Sequence, residues 1–149
     1  MQLKPAILLS GDKLKTITGR SEYIFHLASQ SLQEDLCYFE GFFEEPGPKA
    51  GLHLHKTITE IFTVTEGEFT FHLSDGSQVL GPGDTIIAQP FQPHGFSTNR
   101  PRSRMHILSI GYPNREKFFI ELARMATGEI KPGPAEMEAF FNRFDQYNL

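Results

Sequence analysis

Turn punctuation across residues 20–111 constrains this chain more than any other feature of its sequence. Glu66-Gly67, Asp75-Gly76 and the GPGD stretch at 81–84 divide it into segments shorter than an ordinary helix. The segments SEYIFHLAS, LCYFEGFFEE, EIFTVT, TIIAQP and SRMHILSIGY are rich in β-branched and aromatic residues, with partial alternation. EIFTVTEGEFTFHLSDGSQVL reads as a three-stranded meander. Its Asp75-Gly76 pair predicts a type I′ hairpin, which needs positive φ at both central residues. Short strands joined by regular turns predict an all-β fold, an antiparallel sandwich or barrel.

The pattern changes after Tyr112. Asn114 is the predicted cap of a helix, REKFFIELARMAT, in which Phe118, Leu122 and Met125 form an apolar stripe with Phe119 beside it. Gly128 ends it, and KPGP at 131–134 is a break. AEMEAFFNRFDQY then reads as a second amphipathic helix carrying Met137, Phe140, Phe141 and Phe144, with packing against the strands the expected role. The expected division is a β domain over 1–112 and a helical appendage over 113–149. A length of 149 residues suits one such domain.

Composition excludes several classes. The formal net charge is −4 without a long run of either sign, which argues against general nucleic-acid binding. Arg100, Arg102 and Arg104 in RPRSR read as a solvated loop. No apolar run approaches the roughly 20 residues of a membrane span, and the N-terminal MQLKPAILLSGD is a poor match to a signal peptide. No helix-turn-helix pattern precedes the strands. A cytoplasmic protein is the expectation. Cys37 is the one cysteine, so no intrachain disulfide forms, and its apolar neighbours predict a small core residue.

The chemistry concentrates in GLHLHKTITE, residues 51–60. Alternate residues of a strand share a face, so His53 and His55 project together while Leu52 and Leu54 point the other way. KTIT is long enough for a reversal, after which Glu60, Phe62 and Val64 return on the histidine side. Two imidazoles and a carboxylate suit a transition metal. His94, after the GPGD turn and a proline-rich bend, is the candidate for a further ligand. His72 is expected in solvent, and His26 is compatible with either environment.

These residues carry a resemblance. Gly47, His53, His55, Glu60 and Gly67 read G-x5-H-x-H-x4-E-x6-G, which is similar to the first motif of the cupin family. Gly83, Asp84, Pro90 and His94 resemble its second motif, about fifteen residues further on. Pro90 and Asn99 sit one place later than usual, and Phe91 occupies the usual glycine position. Together the motifs span 47–67 and 83–99. The resemblance implies an antiparallel jelly-roll β-barrel, here with two C-terminal α-helices packed on it. It also implies one divalent transition metal (Fe, Mn, Ni, Co or Zn) on His53, His55, Glu60 and His94, and it favours a homodimer. An exposed edge strand near the N-terminus would pair the two copies.

Four protein ligands on an octahedral ion leave two positions for water, dioxygen or substrate. The resemblance to the quercetin dioxygenase type implies an oxidoreductase acting on a small organic substrate, with Glu60 as both ligand and catalytic proton acceptor. Phe62, Phe96 and Phe91 are the expected aromatic walls. Arg104, near the barrel mouth, would hold an anionic substrate group. His106 would line the pocket with Leu108 and Ile110 in one register of its strand, and is a structural histidine in the other. The alternatives are a metal-dependent isomerase or decarboxylase, or a non-catalytic barrel that binds a sugar or another small molecule.

Overall fold

The computed structural model describes residues 9–28 and 35–149. The first eight residues of the N-terminal apolar run therefore lie outside the described residues. Among the described residues, eleven strands and two helices follow a short 3₁₀ turn at Ser10–Asp12. One sheet contains β1 (Lys15–Thr18), β2 (Ser21–Leu27), β3 (Leu36–Phe43), β10 (Ser103–Ile110), β5 (Thr59–Glu66) and β8 (Thr85–Ala88), hydrogen-bonded in that order. The other contains β11 (Tyr147–Asn148), β4 (Gly47–Leu54), β9 (His94–Thr98), β6 (Phe69–Leu73) and β7 (Gly76–Leu80). Every pairing is antiparallel.

Alternation explains why two sheets form and close on one another. In β3 every second residue is buried, from Cys37 through Phe39 and Gly41 to Phe43. In β10 Ser103, Met105, Ile107 and Ser109 are buried in the same way. The second sheet answers with Phe69, Phe71 and Phe96. Phe43 meets Phe69 and Phe96 edge-on across the interior, with ring centroids 5.8 and 5.7 Å apart. Such tilted aromatic contacts add to the burial of each ring. Cys37 is fully buried in this core, and burial pushes its thiol up to about 12.

The expected three-stranded meander is corrected. β6 and β7 form a hairpin, but β5 belongs to the opposite sheet and pairs with β10 and β8. The crossover occurs at Gly67 (φ 78°), where an added Cβ would lie 2.2 Å from the Ser103 hydroxyl oxygen. Only glycine fits that close approach. The hairpin also differs in its turn. Leu73 pairs with Gly76, so Ser74 and Asp75 form the connection, and neither has positive φ.

Helix α1 (Arg115–Ala126) and helix α2 (Pro134–Arg143) contribute Phe118, Phe119 and Phe140 to the same aromatic core, together with Phe144 just after α2. Phe119 lies 4.9 Å from Phe39 and 4.5 Å from Tyr23, so α1 packs on the first sheet. Asn114 precedes α1 but has a left-handed backbone and makes no side-chain cap. The second helix is shorter than its pattern suggests. It stops at Arg143, Asp145 turns the chain at φ 58°, and β11 pairs antiparallel with the end of β4. That reversal lays the C-terminal residues across the histidine strand.

Candidate metal centre

Strand pairing and one short reversal bring the four predicted ligands together. His53 of β4 is the direct cross-strand partner of His94 of β9, and their rings lie 4.5 Å apart. The two strands approach closely at Gly95, where an added Cβ would meet the carbonyl oxygens of Ala50 and Gly51 at 2.7 Å. His55 follows β4, and residues 56–58 turn the chain into β5, whose inward face carries Glu60, Phe62 and Val64. His53, His55, Glu60 and His94 are all buried, and their candidate ligand atoms lie within 4.8 Å of one another.

The hydrogen bonds orient the rings. Nδ1 of His53 faces the Gly51 carbonyl at 2.8 Å, Nδ1 of His55 the Asp145 carbonyl at 2.6 Å, and Nδ1 of His94 the Gln92 carbonyl at 2.9 Å. A carbonyl only accepts, so each Nδ1 carries a proton and each ring turns its Nε2 inward. Nε2 of His55 and Nε2 of His94 both lie 3.2 Å from Glu60 Oε2. An Nε2 and a carboxylate oxygen at that distance need a cation between them, a proton on the ring or a bound metal ion. Donor atoms bound cis to an octahedral ion at about 2.1 Å lie about 3.0 Å apart, which these spacings match. The residues therefore fit a bound metal ion.

Electrostatics agree. Burial alone would raise the Glu60 carboxyl, but the attraction of His55, hydrogen bonds from His55 and His94, and Arg115 outweigh it and hold it well below its ordinary value. Burial and the neighbouring His94 lower His53 to about 4. An ionised carboxylate is the state of Glu60 that metal binding requires.

A cavity of about 370 Å³ opens onto this cluster. Phe62 and Phe96 line it. Phe91 does not: its side chain is 64% exposed and its backbone is left-handed at φ 67°. Phe91 sits where the resemblance expects glycine, and the positive φ explains that expectation.

Arg104 and His106 are corrected. The register of β10 turns Met105 and Ile107 inward, and Ile107 reaches the cavity. Arg104 and His106 therefore face outward, Arg104 over Phe42 and within 2.6 Å of Glu40, and His106 2.5 Å from the Tyr38 hydroxyl. His26 shares that outer cluster, 3.5 Å from Glu40. His72 is exposed, as expected, and meets Ser97 at 3.2 Å.

Four neighbours of the cluster escape the sequence reading. Arg115, at the first position of α1, is buried in the cavity wall with Nη2 3.5 Å from Glu60 Oε1. A cation at a helix N-terminus opposes the helix dipole, and that local conflict is the one signal that flags it. Asp145 supports His55 through its carbonyl. Its carboxylate accepts from the main-chain N–H groups of Lys56, Thr57 and Ile58 and from the Thr57 hydroxyl, at 2.7–3.2 Å. Gln146 and Asn148 complete the wall beside it. Nothing local in FNRFDQYNL distinguishes these three from ordinary helix-surface residues.

Residues 43–111 match the family model described as Cupin domain. No curated protein matches the chain in sequence. Among solved structures, KdgF from Halomonas sp. is similar at 19% identity and a TM-score of 0.61, covering 72% of this chain and 94% of that one. An RmlC-like cupin from Shewanella frigidimarina is 21% identical, with a TM-score of 0.59 over 79% of this chain and 99% of that one. Pac13 of Streptomyces, a nucleoside dehydratase, is 10% identical with a TM-score of 0.59 over 76% of this chain and 88% of its own. At these identities the likeness concerns the fold.

Proposed function

We propose that this chain, whose residues 43–111 match the Cupin domain model and whose fold is similar to solved cupins, is a metal-dependent enzyme acting on a small organic molecule. His53, His55, Glu60 and His94 would hold one divalent transition metal, with the substrate in the adjoining cavity. The observation that carries this reading is the inward set of Nε2 atoms, each fixed by an Nδ1–H bond to a carbonyl, around an ionised and buried Glu60. A metal bound there would supply Lewis acidity.

The chain's own residues do the rest. Phe62 and Phe96 offer an apolar wall that excludes water from the reacting group. Glu60 presents Oε2 to the histidines and Oε1 toward Arg115, so the same carboxylate serves as ligand and as proton acceptor. A dioxygenase-like oxidation of a planar substrate is the first reaction class, supported by the aromatic wall. The second is Lewis-acid isomerisation or decarboxylation, supported by the cationic Arg115 in the wall.

Metal analysis of protein purified without added metal tests the site, followed by oxygen-electrode assays of the Fe, Mn, Ni and Co forms with flavonols, catechols and β-diketones. Oxygen uptake supports the first class, and turnover without oxygen selects the second. Binding that never leads to turnover leaves a non-catalytic barrel and overturns the enzyme reading.

We also propose a homodimer through the edge strand β1, whose Ile17 is 60% exposed. Sedimentation of wild type and Ile17→Lys tests it: a wild-type monomer overturns the proposal, and so does a variant that remains dimeric.

A further inference from the structure

Arg115 is the buried cation of the cavity wall, and its charge is poorly answered by the protein. Its side chain is 3% exposed, and a guanidinium is a cation with donors only. Its polar contacts are long: Nη1 lies 3.3 Å from the Phe144 carbonyl, and Nη2 lies 3.4 Å from Gln146 Oε1 and 3.5 Å from Glu60 Oε1. Nε is buried without a hydrogen-bond partner. The Phe118 ring covers the group at 4.3 Å, which supplies attraction but no acceptor.

The charge balance of the cavity sharpens the point. Arg115 and the half-buried Lys49 line it, and Glu60 is the one acidic side chain among the described lining residues. Two cationic side chains against one carboxylate leave the wall with an excess of positive charge. A buried charge without a partner is strongly unfavourable.

We infer that the cavity takes a small carboxylate with an apolar or aromatic body, its carboxylate seated on Arg115 and its body against Phe62, Phe96 and Phe119. The inference rests on the metal site and cavity proposed above and narrows their substrate class. The planar fork of a guanidinium matches a carboxylate with two parallel hydrogen bonds, which a neutral ester does not reproduce. The volume of about 370 Å³ lies near the lower end for small-molecule sites.

The test uses three acids, 3-phenylpropionate, mandelate and benzoylformate, each against its methyl ester. Calorimetric titration is run on metal-stripped and Zn(II)-loaded protein. At least one acid is expected to bind about tenfold or more tighter than its ester in both forms, because a charged partner rewards the complementary ion and rejects the neutral analogue. Arg115→Gln should lose that preference while its ester affinity stays unchanged. Circular dichroism checks the fold. If Arg115→Gln does not fold, Arg115→Lys, which keeps the charge without the fork, should retain part of the preference.

Equal affinities for acid and ester in the wild type overturn the inference, whatever the variants do. So does a wild-type acid preference in the folded variant together with reduced metal content, which would confine Arg115 to holding Glu60. Acid preference in stripped protein that binds no metal defeats the metal reading alone. One metal per chain with no acid preference defeats this inference alone.

Discussion

His55 donates its Nδ1 proton to the main-chain carbonyl of Asp145 at 2.6 Å, across ninety positions of sequence. The same residue's carboxylate binds the three main-chain N–H groups of Lys56, Thr57 and Ile58. One residue after α2 thus fixes both the ring of a candidate ligand and the reversal that delivers Glu60. Asp145→Ala should lower stability by about 2–4 kcal/mol, because it strands buried donors that faced a charge. Asp145→Asn, which tolerates the left-handed backbone and keeps one acceptor, should lose less. Urea titration checks the order. Equal stability of Asp145→Ala and wild type would show that the strap contributes nothing.

His55→Ala should remove most of the bound metal. Loss of a ligand's hydrogen-bond partner alone lowers affinity by about 10–100-fold, so loss of the ligand itself should exceed that. Metal content after dialysis against a weak chelator measures the effect. Full retention would sink the ligand assignment.

Acid should destabilise the metal-free protein in two stages. His53 has a folded value of about 4, below the roughly 6.5 of an unfolded histidine. Between those values the unfolded chain binds a proton that the folded chain refuses, so stability falls as pH drops through that window. Asp145 follows at lower pH. Burial raises its carboxyl, but hydrogen bonds from Thr57, Lys56 and Ile58 outweigh that and lower it. Its contribution is complete above the unfolded value of about 3.9 and is lost as pH falls through the folded one. Urea midpoints at pH 7.5, 5.5 and 4.5 should decline, and His53→Gln should flatten the upper stage. Parallel profiles for the two proteins would count against the neutral buried ring.

Arg104→Gln and His106→Gln should leave metal content and ligand affinity unchanged, because both side chains leave the barrel's outer face. Their ion pairs with Glu40 are partly exposed, so each change should cost about 1 kcal/mol or less. Calorimetric titration of the same acids separates this outcome from that of Arg115→Gln. A clear loss of affinity in either variant would mean that the β10 register is wrong.

Phe91→Gly should stabilise the protein by about 1 kcal/mol. A left-handed backbone costs a non-glycine residue about 1–2 kcal/mol, part of which is offset by the greater freedom of glycine in the unfolded chain. The ring at this position is 64% exposed, so little burial is lost. A drop in the urea midpoint would show that the ring makes a contact worth more than the strain.

Local pattern carried much of this protein. Alternation along EIFTVT put Glu60, Phe62 and Val64 on one face, and the spacing of His53 and His55 put both rings on another. These follow from strand geometry, whose period of two is a property of any few consecutive residues. Turn glycines marked where strands end for the same reason.

Relationships between distant segments were decided only by the folded chain. The register of β10 chose between Ile107 and His106 for the cavity, and a one-residue slip would have exchanged them. β5 and β6 read as neighbours in a meander, yet they lie in opposite sheets because Gly67 admits a close crossover. Arg115, Asp145 and Gln146 reach the site from a helical region whose own pattern records only which face is apolar. Sequence fixes the direction a side chain takes from its own strand, because backbone stereochemistry is local. Which charge lies beside which depends on packing between segments far apart in the chain, so only tertiary structure determined that the cavity wall holds an arginine.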